Sequence, residues 1–348
     1  MIGSLARDLF RLVASTAGRV IDQGERWLFD RKKATYGLSV MRMCLGVAIV
    51  GSLTVNFVDR YYVWGPGARW LQPWLVIDDW GFPFTVIFTP DDSTVMFTVK
   101  YLCLGVVAVL FTLGWRTRVI TPLLLLMLAS LMRLNPVATD AGDNLTRIML
   151  LFMCFADVSA RWSLDARRRA AAGPPRRRIP AWPGVLFHNV ALIAIAGQVF
   201  VVYVVSGLSK VQGSMWQEGV GLYYPLRIAQ YEAWPALNEL VYSSAFFVTV
   251  GSYVTVFVQV FFPLLLLRRG TRIMALVLVF FMHVGIAVTM ALPWFSLAIL
   301  AADAIFIRDD SYRAAMRWLS RARRADPGGL GPAEPVPVVR PEEQLRPL

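Results

Sequence analysis

The chain has 348 residues, 57% of them hydrophobic and only 17% charged, where soluble domains carry about a quarter charged residues. At a mean hydropathy of +0.54 a soluble fold of this length could not hide its apolar surface. The net charge of +12 comes from arginines in short clusters between apolar blocks, which excludes a nucleic-acid-binding domain and reads instead as a topology signal.

In chain order, residues 1–33 are expected to be a cytoplasmic segment. Met1 to Thr16 interleaves arginines with Leu5, Leu9, Phe10, Leu12 and Val13, so it reads as an amphipathic surface helix without the apolar core of a signal peptide. Residues 34–307 then hold about eight apolar blocks near the length an α-helix needs to cross a bilayer, at 36–58, 94–114, 119–134, 145–160, 185–209, 240–267, 273–291 and 292–307. Residues 308–348 are expected to be a cytoplasmic tail, and from Asp326 its proline, glycine and charge predict disorder. The fold class is an all-α integral membrane protein, a polytopic helical bundle.

With the N-terminus inside, the cytoplasmic segments carry 27 of the 35 lysines and arginines. The positive-inside rule therefore puts both termini in the cytoplasm. The largest outer loops contain Trp64, Trp70, Trp74, Trp80, Trp216, Tyr223, Tyr224 and Trp234, either an aromatic belt at headgroup level or a stacking wall for a lipid-like aromatic ligand. Cys44, Cys103 and Cys154 lie inside apolar blocks without CxxC spacing, so neither a disulfide framework nor a metal site is indicated.

Polar side chains at membrane depth are costly and therefore informative. The turn Asn135 to Asn144 is expected to enter membrane depth in part, because the two blocks it joins are short. Asp143, Asn144 and Arg147 could form an outer pocket with Tyr203, Lys210, Tyr223 and Tyr224; the alternative is helix capping by Asp143 or Asn144 and snorkelling of Lys210. At the inner side Arg42, Asp157 and Asp303 are expected to form structural ion pairs, Arg42 with one aspartate or the other. His188 is expected at the interface. His283 lies mid-span, either in an interhelical hydrogen bond or handling a proton.

The stretch Gly207-Leu-Ser-Lys210-Val-Gln-Gly-Ser-Met-Trp216-Gln-Glu-Gly219, together with Gly142-Asp143-Asn144, Leu113-Gly-Trp-Arg-Thr-Arg118, Arg161-Trp162-Ser-Leu-Asp165, Leu222-Tyr-Tyr-Pro-Leu-Arg227 and Met282-His-Val-Gly-Ile-Ala287, resembles the horizontally transferred transmembrane domain family, bacterial relatives of vitamin K-dependent γ-carboxylase. The resemblance covers roughly Ala34 to Ile307. It implies a bacterial plasma-membrane protein with quinol-coupled chemistry, in which a base initiates oxygenation of a reduced vitamin K or menaquinol-type quinone and a glutamyl-type acceptor is carboxylated. By motif position Lys210 is the base and His283 the matched catalytic histidine. The quinone would lie against Asp143, Asn144, Arg147, Tyr203, Trp216, Tyr223 and Tyr224. A lysine base must be neutral, which an apolar, cation-bearing pocket favours. The partners implied are membrane lipids, the quinone and a small peptide or protein substrate, with no nucleic acid and no metal. The alternatives are a membrane factor for maturation or export of a secreted peptide, resembling sporulation-delaying protein B, and a non-catalytic lipid- or quinone-binding membrane protein.

Overall fold

The computed structural model describes residues 18–19, 21–65, 86–173 and 180–325. The helix expected over Met1 to Thr16, the tail from Asp326, and Trp70, Trp74 and Trp80 lie outside the described residues. No β-strand occurs among the described residues. Contacts divide the chain into two units, Met1–Arg308 and Asp309–Leu348.

In the first unit the main helices are α1 (Thr35–Val55), α2 (Thr94–Leu113), α3 (Thr117–Leu134), α4 (Ala141–Met153), α5 (Leu164–Ala172), α6 (Trp182–Val211), α7 (Ala245–Leu265), α8 (Arg269–Thr289) and α9 (Pro293–Asp303). Six of them, α1, α2, α3, α6, α7 and α8, are long and apolar enough to cross a membrane. The other two expected spans are short: α4 has 13 residues and ends before its apolar block does, whereas α9, continued by the 3-10 turn Ala304–Phe306, fills the block at 292–307. They reach about 20 and 22 Å, against a hydrocarbon core of about 30 Å. The block at 240–267 is also divided, into a helix Pro235–Tyr242 and α7, with Ser244 capping α7.

The caps explain these boundaries. Ser93 and Ser163 accept backbone N–H bonds at the starts of α2 and α5, and Gly114 ends α2 in the left-handed conformation. Asp140 and Asp143 form a reciprocal capping box that starts α4 ahead of its first apolar residue. Pro293 occupies the first turn of α9, where its missing N–H costs nothing.

The short helix α9 is the centre of the bundle: it packs against α1, α4, α6 and α8. Ser296, Ala298, Ile299, Ala301, Ala302 and Asp303 are all buried, which is why its sequence shows no polar face. Around it run the pairs α1–α2, α2–α3, α3–α4, α6–α7 and α7–α8.

The end of the bundle that carries the basic loops is fixed by backbone recognition. The Asp165 carboxylate accepts the Arg116 N–H (2.9 Å), the Thr117 N–H (2.8 Å) and the Thr117 hydroxyl (3.1 Å), while the Asp165 N–H donates to the Gly114 carbonyl (3.0 Å). The Leu113–Arg118 and Arg161–Asp165 stretches thus grip one another, and Asp165 caps the N-terminus of α3. Burial pushes the Asp165 carboxyl up, but these donors and Arg168 outweigh it and hold it below the ordinary carboxylate value.

Arg42 corrects the ion-pair expectation. Its buried guanidinium pairs with neither Asp157 nor Asp303; it donates to the carbonyls of Val158 (3.1 Å), Phe111 (2.9 Å), Thr112 and Trp162 (2.7 Å). Two of these belong to the last turn of α2, where the helix dipole favours a cation. A side chain at Gly114, at φ +70°, would meet Arg42 Nη1 at 2.9 Å and collide with Ser163. Asp157 pairs instead with Lys32 at 2.7 Å. His188, expected at the interface, is fully buried within the protein near the start of α6; its Nδ1 accepts the Asp157 N–H (3.0 Å), and its Nε2 lies 2.8 Å from the Lys33 carbonyl. Beside it the Asn189 amide donates to the carbonyls of Trp27, Leu28 and Arg31 and accepts the Lys33 N–H. Together they clamp the approach to α1.

In the second unit, α10 (Asp309–Ala325) sets Tyr312, Met316 and Leu319 along one side and Arg313, Arg317 and Arg321 along another, spaced three or four apart.

Candidate functional site

Tyr203, Ser206, Gly207 and Lys210 recur at three- and four-residue spacing and so share one face of α6. Gly207 lets α7 come close: a Cβ there would lie 2.8 Å from the Val260 backbone nitrogen and 3.0 Å from the Gln259 Cβ. The approach sets Gln259 beside Gly207, between Tyr203 and Lys210 along α6, and its amide Nε2 lies 4.0 Å from Met282 Sδ, next to His283 on α8.

At that level a polar layer is enclosed by aromatic rings. The Tyr203 hydroxyl donates to Asp303 Oδ2 at 2.7 Å, 2% and 5% of the two residues being exposed. The Tyr203 ring packs on Phe262 at 4.4 Å and lies 6.4 Å from the imidazole of His283. Phe295 of α9 lies 6.0 Å from the other side of that imidazole. Several buried polar atoms here have no hydrogen-bond partner: both ring nitrogens of His283, Gln259 Oε1, Asp303 Oδ1 and Ser296 Oγ. Buried polar groups are overwhelmingly paired in folded proteins, so this concentration in the core of a membrane bundle marks a place built to receive polar groups.

Lys210 lies outward of this layer. Its Nζ donates to Ser206 Oγ (2.7 Å) and lies 3.4 Å from the Ser206 carbonyl and 5.3 Å over the Trp216 ring. Among the described residues no carboxylate forms a salt bridge with it.

The remaining expected residues fall into two separate places. Asp143 belongs to the capping box and lines a cavity of about 380 Å³ with Gly142, Thr146, Ala291, Trp294 and Phe295. This cavity opens where α4 and α9 both start, so the two short helices leave it, and the Phe295 ring stands between it and His283. Arg147 donates to Asn144 Oδ1 at 2.7 Å on the exposed side of α4. Tyr223 and Tyr224 form a cluster of their own with Tyr242, and Arg227 lies over the Tyr223 and Tyr242 rings. The structure therefore brings Tyr203 to Asp303 and His283, Lys210 to Ser206 and Trp216, and Asp143 to the cavity wall, while Asn144 meets Arg147 and Tyr223 and Tyr224 meet Tyr242 and Arg227.

Gln259, Ser296 and Phe295 went unnoticed in the sequence. Gln259 carried a usable signal, an amide inside Val254–Leu267 that is otherwise apolar apart from Thr255; Phe295 carried none, since a phenylalanine in an apolar helix is ordinary. Among the described residues no group of three or more His, Cys, Asp or Glu side chains could hold a metal ion. A family model described as HTTM domain matches residues 31–310. No curated protein and no solved structure matches the chain.

Proposed function

This chain belongs to the HTTM domain family, the domain of vitamin K-dependent γ-carboxylase-like proteins, and from that premise we propose that its buried polar layer binds a menaquinol-type quinol and couples it to carboxylation of a glutamyl-type side chain. The observation that carries this reading is the set of unpartnered acceptors, His283, Gln259 Oε1 and Asp303 Oδ1, inside walls made by Phe262, Phe295 and Tyr203. A quinol is a flat apolar ring with two hydroxyl donors. Its requirements, acceptors at the edge and rings at the faces, fit this set.

When bound, the quinol would supply, with oxygen, a base strong enough to remove a proton from the γ-carbon of the acceptor, which would then take up carbon dioxide. The chain's own groups prepare that event. Lys210, paired with no carboxylate among the described residues, receives the hydroxyl proton at Nζ in its neutral form; Ser206 Oγ orients the amine and the Trp216 face covers it. In its neutral form the His283 imidazole offers one acceptor and one donor nitrogen. The Tyr203 hydroxyl fixes Asp303 so that its second oxygen stays directed into the layer. Phe295 separates the layer from the 380 Å³ cavity, the route by which a peptide or protein acceptor approaches. The basic-loop end faces the cytoplasm of a bacterial cell.

The test uses the full chain in nanodiscs loaded with reduced menaquinone, reading quinone epoxide by mass spectrometry so that no acceptor need be known. Lys210→Ala and Lys210→Arg should both abolish epoxide while inserting normally, because a guanidinium cannot give up its proton. Full activity in Lys210→Arg would refute the base role. Quinone retention without epoxide in the wild-type protein would leave a binding protein rather than an enzyme. Reporter fusions after Ala172 and after Gln217 should report opposite compartments.

A further inference from the structure

The shortness of α4 has a second effect, at the opposite end of the bundle. Its helix stops at Met153, and the chain turns through Cys154–Ser159 where a full span would have continued. The space left between the start of α3 and the start of α6 is an open basin of about 1160 Å³.

Two kinds of side chain line it. Both of its carboxylates are already engaged, Asp157 by Lys32 (2.7 Å) and Asp165 by Arg168 (2.9 Å) together with the backbone of α3. Arg169 donates to Ser159. Arg116 and Arg118 remain exposed, and among the described residues neither guanidinium has a carboxylate partner; that of Arg116 rests 5.2 Å over the Trp115 ring. The basin thus keeps a surplus of positive charge, one each from Arg116, Arg118 and Arg169. Next to these arginines, Val119, Phe155 and Phe187 stand 63%, 57% and 57% exposed. Cations on one side and large exposed apolar groups on the other, at the end of a membrane bundle, match the amphipathy of a lipid rather than that of a soluble anion.

The geometry points to an anionic phospholipid site: the phosphate of a lipid from the bordering leaflet lies on Arg116 and Arg118, and its acyl chains run along Val119, Phe155 and Phe187 into the gap left by the short α4. Basic clefts between membrane helices recognise such headgroups by charge, and the bidentate geometry of arginine suits a phosphate. The lipid's chains complete the wall that α4 leaves open. This proposal is independent of any chemistry in the quinol layer.

The experiment is native mass spectrometry of the delipidated full chain, titrated separately with phosphatidylglycerol and phosphatidylcholine of identical chains. Wild type should retain phosphatidylglycerol preferentially. Arg116→Gln/Arg118→Gln should weaken that lipid on the order of tenfold and leave phosphatidylcholine unchanged. Arg116→Lys/Arg118→Lys should recover most of the loss, which a folding defect would not. Arg313→Gln/Arg317→Gln on α10 removes the same charge elsewhere and should retain wild-type preference. Equal binding of the two lipids by wild type, an unaltered preference in Arg116→Gln/Arg118→Gln, or an equal loss in the α10 variant would overturn the site. Competition by millimolar inorganic phosphate would also overturn it, by showing a small-anion site in place of a lipid one.

Discussion

Replacing Arg42 by alanine tests the reading of the basic-loop end most directly. The guanidinium donates to four carbonyls from three segments, the last turn of α2, Val158, and Trp162. The Phe111 carbonyl keeps a second donor that closes its turn, the Gly114 N–H at 2.9 Å. A buried polar group deprived of its partner costs roughly 1–3 kcal/mol. With water reaching the loop side, the sum is about 3–5 kcal/mol, comparable to breaking a buried charge pair. At roughly 2–4 °C per kcal/mol, Arg42→Ala should lower Tm by about 10 °C, read by tryptophan fluorescence on heating in nanodiscs. Arg42→Lys, which keeps the charge and loses the fork, should recover no more than about half of that. Neither Arg42→Ala/Asp157→Asn nor Arg42→Ala/Asp303→Asn should be more stable than Arg42→Ala alone. Rescue by either aspartate change would refute the carbonyl account and restore an ion pair.

Three further outcomes follow from the same end of the bundle. Gly114→Ala should destabilise by more than about 1 kcal/mol, from left-handed strain compounded by collision with Ser163 and Arg42, and should show the same Tm loss in the presence and absence of added lipid. Because the Asp165 carboxyl is held below its unfolded value, its contribution is present above about pH 4 and lost as pH falls through its folded value; Tm of wild type should therefore drop on acidification over that window, and Asp165→Asn should lose that increment. Asn189→Ala should release the turn before α1, so that trypsin cuts at Arg31, Lys32 or Lys33 at least several-fold faster, measured by gel against the wild-type protein.

The sequence made the polar layer legible in part because membrane depth makes polar residues conspicuous: Tyr203, Lys210, His283 and Asp303 all stand out against apolar neighbours. It misassigned Arg42 because a charge in an apolar run invites a search for the opposite charge, whereas its partners are carbonyls whose positions exist only once α2 and the Val158–Trp162 loop are in place. The length of α4 was hidden for a related reason. Cys154, Phe155 and Ala156 are as apolar as a helix interior, and hydropathy cannot distinguish an apolar turn from a continuing span. The meeting of Tyr223 with Tyr242 and Arg227 likewise depends on how the 212–244 segment folds over α7, through Ser252 to Leu222 and Tyr253 to Gln217, contacts without a local signature.

The central place of α9 also dictates an order of assembly. Among the described apolar helices, the one that fills the middle of the bundle comes latest in the chain, and its principal neighbour, α1, comes earliest. During translation α1, α4 and α6 must wait in the bilayer with the faces that later meet α9 turned toward lipid or toward one another. The bundle cannot close around Tyr203 until Asp303 has left the ribosome, so the polar layer is a product of the final docking event rather than of gradual growth. A chain arrested shortly before Pro293 would carry every residue from Lys210 to His283 and still lack the fold's axle.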